Sequence, residues 1–472
     1  PQHSRRGVVH AATRIAMNAS APPGRPELAL WALDRRVLVN AAMLGTATVL
    51  IKLVALGKDW MVAQRLGAGD ALDAYLIALM IPSYAVAVLG HSFASAFVPG
   101  YVRLLTQESL AAANRMTAAA LAAAVVMLAL VCAALAALAP VVLPLVGSGF
   151  DADKLALARS LLYVMVGVLF ASGVSSVIAA VLNAHERFVA TSIAPVFVPI
   201  AMVVAFGLFY QPYGVYALAA GTLVGFALET VWLAVAAARI GLLPWPRFGR
   251  FDGALGAMAS RYWPLVVGSA LMSSSAVVDQ SMAASLSGGD VSVLSFGNKL
   301  PALVLSVVAV SLSTVLLPRF SHMISSGQWG ALRRTINGYA ALIVAGSIPV
   351  MVLLTVLAEP MIRLLFERGA FTPEMTAAVA RVQMYLALQI PFYVFAMLGA
   401  RLLSALDGNQ IVLRIGALNL IVNVAGNYFL MRRFGVDGIA MATSLMYVVA
   451  TVATVVAVWF KMADARDGNR QL

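Results

Sequence analysis

Long apolar runs alternate with short polar breaks along the whole chain, and most runs reach about 20 residues, the length a helix needs to cross bilayer hydrocarbon. Twelve such spans are predicted, over residues 37–64, 71–99, 116–146, 155–182, 188–209, 214–238, 262–285, 291–317, 336–358, 374–405, 411–431 and 436–460. The short alternating segments of a transmembrane β-barrel are absent from the sequence. The longest internal break, LLPWPRFGRFDGALGAMAS at 242–260, is basic and contains prolines. It reads as a cytoplasmic linker between two six-helix lobes, residues 37–241 and 261–460. Residues 1–36, with six arginines and the turn-like APPGRP, lack a signal-peptide core and read as a disordered or interfacial cytoplasmic segment; 461–472 reads as a cytoplasmic tail.

Composition narrows the class. With 62% hydrophobic and 11% charged residues, no soluble chain of this size hides its apolar surface, so the fold class is an all-α polytopic membrane protein. The net charge of +12 raises the question of nucleic acid. Its distribution excludes that partner, because the basic residues sit mostly in short interhelical loops. With the N-terminus inside, the inner segments hold twenty Lys/Arg and the outer loops five, so the expected topology is N-in, C-in. The single cysteine, Cys132, lies in an alanine-rich span and has no intrachain partner for a disulfide.

The two halves echo each other. At an offset of 219, Gly69 matches Gly288, Pro82 matches Pro301, Ser92 matches Ser311 and Pro99 matches Pro318. GFDADKLALAR at 149–159 pairs with AFTPEMTAAVA at 370–380, each entering a span from outside. Two six-helix repeats are a recurrent transporter plan, with the substrate site at their interface.

Against this apolar background, ionisable residues inside spans stand out, since each costs at least ~2.5–3.5 kcal/mol to insert. Lys52, Lys58 and Asp59 lie in the first span, Asp73 in the second, Glu229 in the sixth, Asp279 in the seventh and Lys299 in the eighth. Structural pairing accounts for them in one reading: Lys58 with Asp59 or Asp73, and Lys299 with Asp279 or Glu229. In the other, Lys52, Lys58 and Lys299 line a central cavity and hold an anionic head group such as a pyrophosphate, while Asp59, Asp73, Asp279 and Glu229 orient the lysines or respond to protons and cations. Asn419, Asn423 and Asn427 form a polar stripe at i, i+4, i+8, suited either to interhelical hydrogen bonds or to cavity lining. Pro82 and Pro301 inside spans, and Gly69 in the LGAGDA turn, are hinge candidates. No Walker loop, metal-ligand spacing of histidines or nucleophile elbow is present in the sequence, so a non-enzymatic transporter without a bound cofactor is expected.

At these residues the chain resembles the MurJ/MviN family of lipid II flippases in the MOP exporter superfamily. The run GKDWMVAQRLGAGDALDAYLIALMIPS…SFASAFVP is similar to that family's first two helices, and GFDADKLALA, VLNAHERF and LSTVLLPRFS look like further family signatures. The resemblance implies two six-helix lobes around a V-shaped cavity in the bacterial cytoplasmic membrane. The implied activity is inner-to-outer transfer of an undecaprenyl-pyrophosphate-linked saccharide by alternating access. Membrane lipids and the cell-envelope polysaccharide machinery are the expected partners. An anionic head group moving outward couples to a membrane potential negative inside, with H⁺ or Na⁺ acting through Asp59, Asp73 or Asp279 as the alternative drive. Lys52 and Lys58 stand where the family has two cavity arginines, Asp73 matches its second-helix acid, and Lys299 stands near an arginine of the eighth helix. Ser83 replaces a usual asparagine and is a polar cavity candidate, Val86 stands at a further arginine and His91 at a glutamate, and two further C-terminal helices of many members are missing from the sequence. Lysine for arginine keeps the charge and relaxes the geometry, which leaves an exopolysaccharide or O-antigen repeat unit as a second cargo. A MATE-type cation-coupled drug antiporter is a third reading, which an acidic cavity would favour.

Overall fold

The computed structural model describes residues 35–185, 187–242 and 253–468. The expected N-terminal segment (1–36) lies outside them but for its last two residues, as do most of the expected linker (242–260) and the end of the tail. The regular structure is helical: α1 (Arg35–Leu66), α2 (Asp70–Gln107), α3 (Leu110–Val146), α4 (Ala152–Ala184), α5 (Phe188–Ile193), a 3-10 turn (Ala194–Val196), α6 (Phe197–Tyr213), α7 (Val215–Ala238), α8 (Gly253–Ala284), α9 (Asp290–Gly297), α10 (Lys299–Ser325), α11 (Trp329–Val356), α12 (Ala358–Phe366), α13 (Pro373–Ala387), α14 (Gln389–Ala405), α15 (Asn409–Phe434) and α16 (Val436–Gly468). Among the described residues nine helices are long and apolar enough to cross a membrane, with α5–α6 and α13–α14 each running as one, and ten if the bent pair α9–α10 is a single span. α8, which carries Asp279, Gln280 and a run of serines, is outside that number.

Two boundaries differ from expectation. α8 starts at Gly253, seven residues before the expected end of the linker, because GALGAMAS is rich in helix formers and Pro264 is accommodated inside the helix. α16 likewise runs on to Gly468, because KMADAR keeps good helix formers where the tail was expected. Elsewhere local chemistry sets the ends. Asp151 caps α4 by accepting from the Lys154 amide, Ser109 caps α3 through Ala112, and Thr372 caps α13 through Met375.

The repeat is written into the hydrogen bonds. Ser160 meets Tyr216 at 2.6 Å, and 221 positions on Arg381 meets Asp437 at 2.9 Å. Thr230 donates to the Ala171 carbonyl, and at the same offset Thr451 donates to that of Phe392. Each half therefore ties its last helix to the same level of its fourth.

The cores show which end is closed. One cluster draws on both halves and occupies the end that the charge census assigns to the outside; it includes Ile77, Leu143, Leu161 and Phe206 with Phe296, Phe366, Phe371 and Ile439. The inner end has two separate clusters, one around Phe93, Phe97 and Tyr101, the other around Leu316, Phe320 and Leu402. Close reciprocal contacts seal the outer end. The α3–α4 loop packs on the α8–α9 turn so tightly that a Cβ on Gly149 would lie 2.6 Å from the Ala284 carbonyl oxygen. The α12–α13 loop packs on the α1–α2 turn, with the Ala370 amide donating to the Gln64 carbonyl at 2.8 Å. α8 bridges the halves along its length: Tyr84 bonds Ser274 at 3.2 Å, Ser92 donates to Ser269 at 3.1 Å and Tyr262 donates to the Leu89 carbonyl at 3.3 Å.

Candidate functional site

Three charges meet across the halves beneath this seal. Lys58 Nζ lies 2.5 Å from Asp59, its neighbour on α1, and Lys299 Nζ reaches the same carboxylate at 3.1 Å from the other half. Lys299 is the first residue of α10, beyond a 41° bend between α9 and α10 at Asn298. The buried Pro301 follows in the first turn of α10, where a missing amide costs the helix nothing. Asp59 is 8% exposed and the Lys299 side chain 32%, so the acid is enclosed while one cation stays reachable. The cluster carries a net charge of about +1, which suits an anion that can replace or share the carboxylate.

Lys52 is exposed and makes no hydrogen bond or ion pair among the described residues. It lies seven residues before Asp59 on the same helical face, ~10 Å nearer the inner end. Ser83 is exposed on α2 beside the buried Pro82, and Gly69 is the N-cap of α2 with extended backbone.

Asp73 is separate from this cluster. Its carboxylate is fully buried and accepts from the Gly289 amide at 2.7 Å, the Ser292 amide at 2.8 Å, the Ser292 hydroxyl at 2.6 Å and Lys154 Nζ at 2.8 Å. Lys154 also binds Asp70 at 2.7 Å and sits 4.1 Å from the centre of the Phe150 ring. α9 has glycine at its N-cap and no side-chain cap of its own, so Asp73 of the opposite half caps it. The geometry makes this a latch on the outer end. Neither Lys154 nor Ser292 was picked out from sequence, although both signals were there: Lys154 sits in GFDADKLALA, and Ser292 is Asp73 shifted by the repeat offset of 219.

Asp279 is held without any cation among the described residues. Asn423 and Asn427 donate to its Oδ1 at 2.9 and 2.7 Å, and Thr443 donates to its Oδ2 at 3.1 Å. The side-chain oxygens of Asn419, Asn423 and Asn427 are all buried without a donor. A carboxylate ringed by spare oxygen acceptors is chemistry for a hard cation, and amide orientation is free to turn those oxygens inward. Glu229 is half-buried on α7 and meets none of the lysines. At the inner end, Tyr101 and His185 share a 2.6 Å hydrogen bond. Burial, and then the neighbouring Arg187, push the imidazole below its usual pKa, so it is neutral at physiological pH.

The family model described as lipid II flippase MurJ matches residues 62–465. The chain is 24% identical over 412 residues to the protein of Rhizobium tropici named "Probable lipid II flippase MurJ", covering 85% of this chain and 77% of that one. The Vibrio cholerae protein of the same name is 24% identical over 427 residues, covering 88% and 81%. Among solved structures, a lipid II flippase MurJ in an inward closed conformation superposes with a TM-score of 0.77 at 21% identity, covering 90% of each chain. An inward-facing multidrug MATE transporter of the MOP superfamily superposes with a TM-score of 0.73 at 13% identity, covering 89% of this chain and 95% of that one.

Proposed function

The chain belongs to the lipid II flippase MurJ family, and on that premise we propose that it carries lipid II across the bacterial cytoplasmic membrane, from inner to outer leaflet. The observation that carries the reading is the cationic cluster between the halves. An unpaired pyrophosphate in hydrocarbon costs many kcal/mol, and Lys58 and Lys299 supply its counter-charge at a point closed to the outside. The prenyl tail stays in lipid while the head group occupies the cluster. Family membership favours this cargo over an exopolysaccharide unit or a drug; a drug cation would also meet Lys52, Lys58 and Lys299 with like charge. We read the topology as twelve crossings with both termini inside. The test is replacement of the resident flippase in a strain depleted of it. Growth with wild-type envelope supports the reading, and lysis together with export of a different lipid-linked glycan overturns it.

The same reading assigns Asp279, Asn423, Asn427 and Thr443 as the seat of a driving cation, Na⁺ or H⁺, since a carboxylate with amide and hydroxyl oxygens can take either. The membrane potential adds ~2.3 kcal/mol per charge per 100 mV in favour of outward anion movement. In proteoliposomes with the potential clamped, Asp279→Ala is expected to abolish stimulation by a Na⁺ or H⁺ gradient while head-group binding persists. Undiminished stimulation in Asp279→Ala would refute the assignment and leave the potential as the driver.

A further inference from the structure

Trp60 follows Asp59 directly on α1, and Arg368 of the opposite half lies over its indole, the guanidinium carbon 6.0 Å from the ring centre. The contact belongs to the outer seal. Trp60 and Gln64 share one face of α1, a turn apart, and the loop between α12 and α13 lies against that face. Arg368 covers Trp60, a Cβ on Gly369 would lie 2.3 Å from the Gln64 carbonyl oxygen, and the Ala370 amide donates to that oxygen at 2.8 Å. Parting the halves at the outer end therefore carries Arg368 away from Trp60.

Arg368 is exposed and enters no ion pair among the described residues, its neighbour Glu367 being engaged by Arg363 at 3.4 Å. Other cations of the outer end are already held: Lys154 by Asp70 and Asp73, Arg363 by Glu359 and Glu367, and Arg432 over Tyr428. A cation–π contact at an exposed site is worth about twofold to fivefold in an equilibrium, and a charge-assisted bond to a phosphate oxygen about tenfold or more. A pyrophosphate within reach therefore takes the guanidinium from the indole. Lys52, the Lys58–Asp59 pair and Trp60 succeed one another outward along α1, so Arg368 stands beyond the cationic cluster, where an anion leaves once the seal parts.

On the reading of the chain as a lipid II carrier, we propose that Arg368 is the receiving cation of the outward step. It is parked over Trp60 while the outer end is closed. As the halves part it is freed, and it binds the pyrophosphate when the head group leaves Lys58 and Lys299. Its planar fork suits phosphate oxygens. One exposed cation in water holds the anion less firmly than two enclosed ones, so the head group passes on to the outer leaflet.

The experiment uses right-side-out proteoliposomes flipping a labelled lipid II analogue, with inorganic pyrophosphate added outside as an impermeant competitor. Arg368→Gln is expected to raise the half-inhibiting concentration about tenfold, the worth of one charge-assisted bond, and Arg368→Lys to restore part of the sensitivity. Trp60→Leu removes a contact made only in the closed state and should lower that concentration by about twofold to fivefold. If Arg368 served the seal alone, Arg368→Gln would shift inhibition in that same downward direction; this result, or an unchanged half-inhibiting concentration, would overturn the proposal. An equal rise in Arg433→Gln, at an exposed arginine elsewhere on the outer end, would reduce the effect to general surface charge and overturn it too. A parent protein that flips no lipid II removes the carrier reading and this proposal with it, a result distinct from normal flipping with unaltered inhibition.

Discussion

Alanine at Lys58 or at Lys299 is expected to slow lipid II flipping by roughly tenfold to a hundredfold, with the protein still folded in the membrane; this follows from ~1.5–3 kcal/mol for each charge-assisted bond to a pyrophosphate. The readout is movement of a labelled lipid II analogue in proteoliposomes, normalised to inserted protein. Both lysines share Asp59, so removing either leaves a carboxylate with one cation and a cluster of no net charge, which no longer attracts an anion. Arginine at either position should retain most of the rate, because the requirement is for charge before geometry. Lys52→Ala should cost less, since Lys52 is exposed and has no hydrogen bond or ion pair to lose among the described residues. Wild-type rates in both Lys58→Ala and Lys299→Ala would remove the cluster from the transport path.

Asp59→Asn moves the balance the other way and separates binding from turnover. Without the carboxylate the cluster carries about +2, so the head group should bind more tightly and leave more slowly, lowering KM and kcat together. The inter-half tie from Lys299 to Asp59 at 3.1 Å is lost in the empty protein as well. With Asp59 in place the empty cluster keeps about +1 instead of +2, which lowers the cost of holding Lys58 and Lys299 together.

How much of this was legible in the sequence depends on the range of the interaction. Lys58 and Asp59 are adjacent, so their pairing could be weighed from spacing alone. The acid that receives Lys299 is 240 positions away, and hydrophobic periodicity carries no information about which faces of two helices meet. Asp279 or Glu229 looked equally plausible for that reason. The stripe at Asn419, Asn423 and Asn427 was visible as a period of four, but only the fold shows that Asn423 and Asn427 converge on Asp279 while Asn419 sits a turn away. The repeat was legible as scattered Gly and Pro matches at an offset of 219; the paired bonds of Thr230 and Thr451 give it a structural meaning. Helix ends were read short because turns of Ala, Met and Lys carry too little apolar signal to define a span, yet continue the helix.

Asp73→Ala is expected to open the outer end. The substitution strands the Gly289 and Ser292 amides, the Ser292 hydroxyl and Lys154 Nζ, all of which now point at one buried carboxylate. Removing one partner of a buried, hydrogen-bonded charge pair costs ~3–5 kcal/mol, and ~5.5 kcal/mol carries a two-state equilibrium from 1:99 to 99:1. The penalty falls only on the state in which the turns meet, so the population shifts toward the state in which they part. The shift is readable as labelling of a single cysteine at Ser287, in a Cys132→Ala background, by a membrane-impermeant maleimide added outside. Asp73→Asn keeps an acceptor and should shift the equilibrium less. The repeat supplies a sharper test, because the position equivalent to Lys154 is Met375, whose sulfur meets the Ala68 amide at 3.3 Å without any charge. The double variant Asp73→Asn with Lys154→Met makes that side of the seal neutral like its counterpart, and should be closed more often than Asp73→Asn alone, which leaves Lys154 with only the exposed Asp70. Equal labelling of Asp73→Ala and the parent would mean that the glycine-lined contacts at Gly149 and Gly369 hold the outer end shut without the latch.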